Sequence, residues 1–139
     1  MIYLFDTNVW LFGANTPDVL PEEIQQVLAQ RDEQFGLSAI SLWEVGKKHQ
    51  IGKLELQMEL GAWLSGALPA NVQLLPISPI IVADAMSLPD FPVKDPADEL
   101  IVATARVHGL TLLTTDTKLN GYRHARIRYF TPIRERPQI

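Results

Sequence analysis

Apolar and polar positions come in short blocks along this 139-residue chain. The stretch "IYLFDTN" (2–8) is an apolar run that ends in Asp6, and it predicts a short buried strand over 2–6 with a carboxylate at its end. "PEEIQQVLAQRD" (21–32) predicts a helix: Pro21 opens it, acids fill its first turn, and apolar residues recur at 24, 27 and 28. "FGLSAIS" (35–41) is short, apolar and β-compatible. "SLWEVGKKHQIGKL" (41–54) reads as a helix stopped near Gly52, and "LELQMELGAWLSGALP" (54–69) as a second helix closed by Pro69. A strand follows over 72–77, then a proline-bounded helix over 78–89. The clearest helix is 95–109, with Asp95 and Pro96 at its start and Gly109 at its end. "LTLLTT" (110–115) is a buried strand and "RIRYF" (126–130) the last one.

Strands alternating with helices, several of the strands wholly apolar, predict an α/β domain with a parallel sheet covered on both faces. Length predicts one domain over 1–139. In such folds ligands bind in the crevice at the carboxyl ends of the strands, which is where Asp6 falls.

Composition narrows the classes. There is no cysteine, so disulfides and thiolate metal sites are excluded, and a reducing cytoplasm is the expected setting. No apolar run approaches the ~18 residues of a membrane helix, and no leader peptide or membrane association is expected. The formal charge of −4 argues against binding nucleic acid by bulk attraction. The charge is uneven, however. Residues 106–139 hold seven Lys/Arg against two Asp/Glu, and residues 1–105 hold five against fourteen.

Four acids stand out: Asp6, Glu44, Asp98 and Asp116. Each has a local role to play. Asp6 caps whatever follows it. Glu44 lies three residues after Ser41, the spacing of a capping box. Asp95 and Asp98 are cap and first-turn acid of one helix, and Asp116 caps a short turn. As a set they say more. All four fall just after a predicted strand or in the first turn of the following helix, places that share one edge of a parallel sheet. Carboxylates gathered there repel one another unless a cation sits among them. An all-oxygen set suits a hard divalent cation such as Mg²⁺ or Mn²⁺. His49, His108 and His124 lack ligand spacing, so Zn²⁺ is a poor fit. Thr7 and Asn8 beside Asp6, and Thr114 beside Asp116, are placed to orient carboxylates or water, or simply to form turns.

At these residues the chain resembles the PIN-domain proteins, and among them the VapC-type toxins of type II toxin–antitoxin pairs. The resemblance runs through "DTNVWLF" (6–12), "SAISLWEVGKKHQIGKL" (38–54) and "DPADELIVATARVHGLTLLTTD" (95–116) to about residue 132. It implies an α/β/α sandwich around a central parallel sheet. It implies a Mg²⁺- or Mn²⁺-dependent endoribonuclease with one or two ions per site. Asp6, Glu44, Asp98 and Asp116 match the family's acidic quartet; Asp6, Asp98 and Asp116 are the expected metal ligands, and Thr7 and Thr114 match its hydroxyl positions. It further implies an antitoxin partner and a homodimer. Two positions depart from many relatives: Asn8 stands where His or Ser is frequent, and Glu99 where Arg is frequent.

Hydrolysis by a metal-activated water would leave a 5′-phosphate and a 3′-hydroxyl. Substrate attraction then has to come from cations outside the acids. Candidates are Lys47 and Lys48, which follow Glu44, and Arg123, Arg126 and Arg128 in "YRHARIRYF" (122–130). The same segment also reads as an edge strand with Ala125, Ile127 and Tyr129 turned to the core. Trp10, Trp43 and Trp63 are expected in core or interface packing. The apolar stretch 54–69 either packs internally or offers a groove to a partner helix. Two rival readings stand. A phosphoacceptor signalling domain fits poorly, because "VQLLPIS" (72–78) ends in Ser78 without an acceptor Asp. A catalytically inactive module of the same fold, binding RNA or a protein, would keep the fold without turnover.

Overall fold

The computed structural model describes residues 1–30 and 32–133. Five strands form one parallel sheet: β1 (Tyr3–Phe5), β2 (Phe35–Ser38), β3 (Val72–Leu75), β4 (Thr111–Thr114) and β5 (Ile127–Tyr129), in the order β3-β2-β1-β4-β5. Tyr3 of β1 sits opposite Phe35 on one side and Thr111 on the other, so the strand ends line up across the sheet centre. Six helices lie among the described residues: α1 (Thr7–Asn15), α2 (Glu22–Leu28), α3 (Ala39–Gln50), α4 (Leu60–Gly66), α5 (Pro79–Ala85) and α6 (Pro96–His108).

Period-two alternation sorts the strand side chains between two cores. Phe5, Phe35, Leu37 and Leu113 join Val9, Trp10, Ile24, Val45 and Trp63 of α1, α2, α3 and α4 on one face. Leu4, Leu75 and Leu112 join Ile101, Val102 and Ala105 of α6 on the other. Outside α6, Ile81 and Ala85 of α5 pack on Ala103. The expected α/β/α sandwich around a parallel sheet is therefore what the chain forms. β5 is an edge strand, and Ile127 and Ala125 pack on the second core as expected, whereas Tyr129, expected there too, is half-buried and joins neither core.

The expected caps hold at α6. Asp95 accepts from the Ala97 N–H at 2.9 Å, and Gly109 ends the helix in the left-handed region (φ 66). Three expectations are corrected. Residues 7–15 form a helix that the sequence pattern did not announce, because "TNVWLFGAN" is apolar almost throughout and shows no amphipathic stripe. Residues 54–59 are not helical: α4 starts at Leu60, with Glu59 capping the Gly61 N–H. Leu54 and Leu56, two apart, instead pack on the core. Finally, Ser38 rather than Ser41 caps α3, through the Ile40 N–H at 3.3 Å, so the Ser41–Glu44 capping box does not form. No helix among the described residues is long and apolar enough to cross a membrane.

Candidate active site

Each of the four acids reaches the carboxyl edge of the sheet by a different route. Asp6 follows β1 directly and caps α1, accepting from the Thr7 N–H at 2.9 Å. Glu44 lies on the second turn of α3, the helix that leaves β2. Asp98 is in the first turn of α6, where the helix dipole favours negative charge. Asp116 follows β4 and caps a 3-10 turn over Thr117–Leu119, accepting from the Lys118 N–H at 2.9 Å.

Hydroxyls connect the acids. Thr114 donates to Asp6 Oδ2 at 2.6 Å and accepts from the Asp116 N–H at 3.0 Å, tying the ends of two neighbouring strands. The Thr7 hydroxyl donates to Glu44 Oε1 and lies 2.8 Å from Ser41 Oγ. Asp6, Thr7, Ser41 and Thr114 are all buried. Buried polar groups are costly unless they are paired, and these pair with one another. Glu44 is thus held by a tertiary contact in place of its expected local cap.

Charge in this edge is poorly compensated. Burial raises the Asp6 carboxyl above its ordinary range, against the hydrogen bonds of Thr114 and Thr7, and the charge of Asp116 raises it further. Burial also raises Glu44, which feels Asp6 and Asp95 as well. Asp98 is pushed up to about 7, first by burial and then by Asp6, Asp95, Glu44 and Asp116, all acting in one direction. Lys48 is the cation that offsets part of this at Asp6 and Glu44. Carboxylates raised by burial and by one another's charge are groups that a cation would relieve.

The donor set fits a hard divalent ion: every donor is oxygen, and the repulsion has little protein charge to answer it. Among the described residues, no three acidic or histidine side chains already close around a single point. Mg²⁺ does not require that, since it commonly takes one or two carboxylates and fills its shell with water and substrate oxygens.

The cations named from the sequence divide in two. Lys48 is at the site, donating from Nζ to Asn8 Oδ1 at 3.1 Å, so Asn8 orients a lysine and not a carboxylate. Lys47 is one residue away on α3, bonded to Gln50 at 2.8 Å. Arg123 and Arg126 are not brought to the acids. They line a cavity of about 480 Å³ with Arg106 and Gly109, at the opposite, amino edge of the sheet. Arg128 pairs with Glu23 at 2.6 Å and lies over the Phe130 ring. Glu99 is half-buried beside Asp98.

Two residues do other or more than the sequence reading gives them. Ser41 was assigned to a cap and instead lies against the Thr7 hydroxyl, 34 residues away in sequence. Asp95 both caps α6 and adds its charge to Glu44 and Asp98, which the "DPAD" spacing could have signalled. Of the three tryptophans expected in core or interface packing, Trp10 and Trp63 are buried in the core and Trp43 is 60 % exposed on the single chain.

Comparison with known proteins agrees with this geometry. The profile of the family described as PIN domain matches residues 3–125. Ribonuclease VapC22 of Mycobacterium tuberculosis is 33% identical over 123 residues, 88% of this chain and 93% of that protein. Among solved structures, VapBC2 of Rickettsia felis bound to a promoter DNA fragment superposes with a TM-score of 0.69 at 18% identity, covering 94% of this chain and 99% of that one. DNA-bound VapBC of Salmonella typhimurium gives 0.70 at 19%, covering 93% and 98%. Sheet order, the acids at the strand ends and the matched sequence all point one way: the chain belongs to the PIN-domain family and is of the VapC type.

Proposed function

We propose that this chain is a divalent-metal-dependent endoribonuclease and the toxin of a toxin–antitoxin pair. The observation that carries the proposal is the meeting of Asp6, Glu44, Asp98 and Asp116 from four separate segments at one sheet edge, with three of them raised by burial and mutual repulsion. The similarity to a ribonuclease and to the toxin–antitoxin complexes supports the same reading.

Asp6, Asp98 and Asp116 would hold one or two Mg²⁺ or Mn²⁺ ions, with Glu44 beside them. When bound, the ion supplies the positive charge that a phosphodiester needs in an acidic crevice and activates water for hydrolysis. The chain's own residues prepare that crevice. Thr114 and the Thr7 N–H fix both oxygens of Asp6, so its carboxylate is oriented before any ligand arrives. The Thr7 hydroxyl holds Glu44 on the facing helix. Asp98, in the first turn of α6, would hold the ion as a carboxylate. Lys48 brings positive charge near the acids on the side of α3, suited to a phosphate oxygen. An antitoxin that neutralises the enzyme, a homodimeric toxin and a cytoplasmic setting complete the reading.

The test is cleavage of RNA by the purified chain with Mg²⁺ or Mn²⁺ and with chelator. Cleavage should require the ion and should vanish in Asp6→Asn while the far-ultraviolet circular dichroism is kept. Metal-independent cleavage, or a wild-type rate in Asp6→Asn, would remove the assignment. A folded chain that binds RNA but never cleaves it would favour the inactive-module reading.

A further inference from the structure

Trp43 is the exception among the three tryptophans. The Trp10 and Trp63 indoles are buried and donate to Ala67 O at 2.8 Å and to Asn15 Oδ1 at 2.7 Å. Trp43 exposes 60 % of its surface, although a tryptophan is among the side chains with most to gain from cover. Its position is specific. On α3, residues three and four apart share a face, so Trp43, Glu44, Lys47 and Lys48 line one groove, with Ile51 just past the helix end and Asp95 and Pro96 closing the far side. The groove holds about 470 Å³, within the ~300–1,000 Å³ of clefts that take small ligands. Glu44 belongs to both the groove and the carboxylate crevice, so whatever lies in one abuts the other.

We propose that Trp43 is the stacking platform for one unpaired base of the RNA, next to the bond that is cut. The proposal rests on the ribonuclease reading and adds a base subsite to it. The occupant is argued from charge and shape. An indole with 60 % of its surface exposed offers a π-face that every nucleobase can cover. Lys47 and Lys48 follow it by one helical turn, within reach of the phosphates flanking a stacked base. A purely apolar protein segment would have to bury those ammonium groups. Trp43 touches the substrate but not the reacting atoms, so it positions the strand and is not a catalytic residue.

The experiment has two arms on the full chain. In the first, a single-stranded RNA decamer of mixed sequence quenches tryptophan emission. An abasic decamer with the same phosphates does not, and Trp43→Phe loses the quench, because Trp10 and Trp63 are buried. In the second, with an RNA that the wild type cleaves, Trp43→Ala raises KM at least about fivefold and by more than it lowers kcat. Trp43→Phe recovers most of that loss, and Trp43→Leu does not. Equal quenching by the abasic strand, or a smaller change in KM, overturns the proposal. Rescue by Leu as good as by Phe also overturns it, and points to an apolar protein segment as the occupant. If the wild type cleaves no RNA under any metal condition, the ribonuclease reading fails instead, while the quenching arm still decides whether bases stack on Trp43.

Discussion

The two edges of the sheet both carry charged side chains, and they are built in opposite ways. At the amino edge, Arg106 donates to both oxygens of Asp84, at 2.8 and 3.2 Å, and to the carbonyl of His124. Arg126 donates to the carbonyl of Gly109 at 3.3 Å. These arginines close the end of α6 onto the loop before β5. At the carboxyl edge the acids have hydroxyl and N–H partners but almost no opposite charge, and Asp6, Glu44 and Asp98 are raised above the ordinary carboxyl range. Charges that are answered from within the chain serve the fold. Charges that are left to repel one another are what the proposed cation would answer, and the fold bears their cost meanwhile.

The largest expected effect breaks the comparison at the acidic edge. Asp98→Asn should lower RNA cleavage by at least about 100-fold, since partners outside the metal shell alone are worth 10–100-fold. Arg106→Ala, at the other edge, should leave kcat per folded molecule unchanged. Comparing the two variants under identical metal conditions checks the division directly.

Next comes Thr114→Val. It removes the donor to Asp6 Oδ2 and the acceptor of the Asp116 N–H while keeping the strand shape. Cleavage should fall roughly 10- to 100-fold, with weaker Mn²⁺ affinity by calorimetry. If affinity and rate both stay at wild-type values, the hydroxyl has no part in holding the acids.

Arg106→Ala should instead show its effect in stability. The pair with Asp84 is partly exposed, with side-chain accessibilities of 26% and 22%. Its loss should therefore cost only about 1–2 kcal/mol in urea unfolding.

The smallest effect concerns pH. Asp98 titrates near 7 in the folded chain against 3.8 as the ordinary value, so the folded state holds the proton more tightly. Metal-free stability from this group is then fully present below about pH 4 and is lost as pH rises to about 7. Asp98→Asn should flatten that slope and stabilise the metal-free chain at pH 8, on the order of 1 kcal/mol after solvent screening is allowed for. A variant that is inactive yet more stable is what a strained functional group predicts. Thermal melts with and without chelator across pH 4–8 measure it.

Much of this was legible in the sequence, and the failures have physical causes. The wholly apolar strands and the capped helix at 95–109 could be read because their signals are local. So could the four acids, because strand ends in a parallel sheet share an edge. α1 is missed because its large apolar residues run consecutively from Val9 to Phe12, which leaves no helical period to read. Residues 54–59 were over-read because apolar spacing there serves an extended run laid on the core. The Thr7–Glu44 and Thr7–Ser41 contacts span 37 and 34 residues and leave no local trace. The arginines of 122–130 looked like substrate contacts because charge shows in sequence and partners do not. Arg128 is paired, and Arg123 and Arg126 lie at the other edge.

The most direct measurement is a crystal soaked in Mn²⁺ and recorded for anomalous scattering. A peak bounded by Asp6, Asp98 and Asp116, with Glu44 beside it, is the predicted result. Ordered carboxylates with no peak between them at saturating Mn²⁺ would contradict the claim that these acids share a cation.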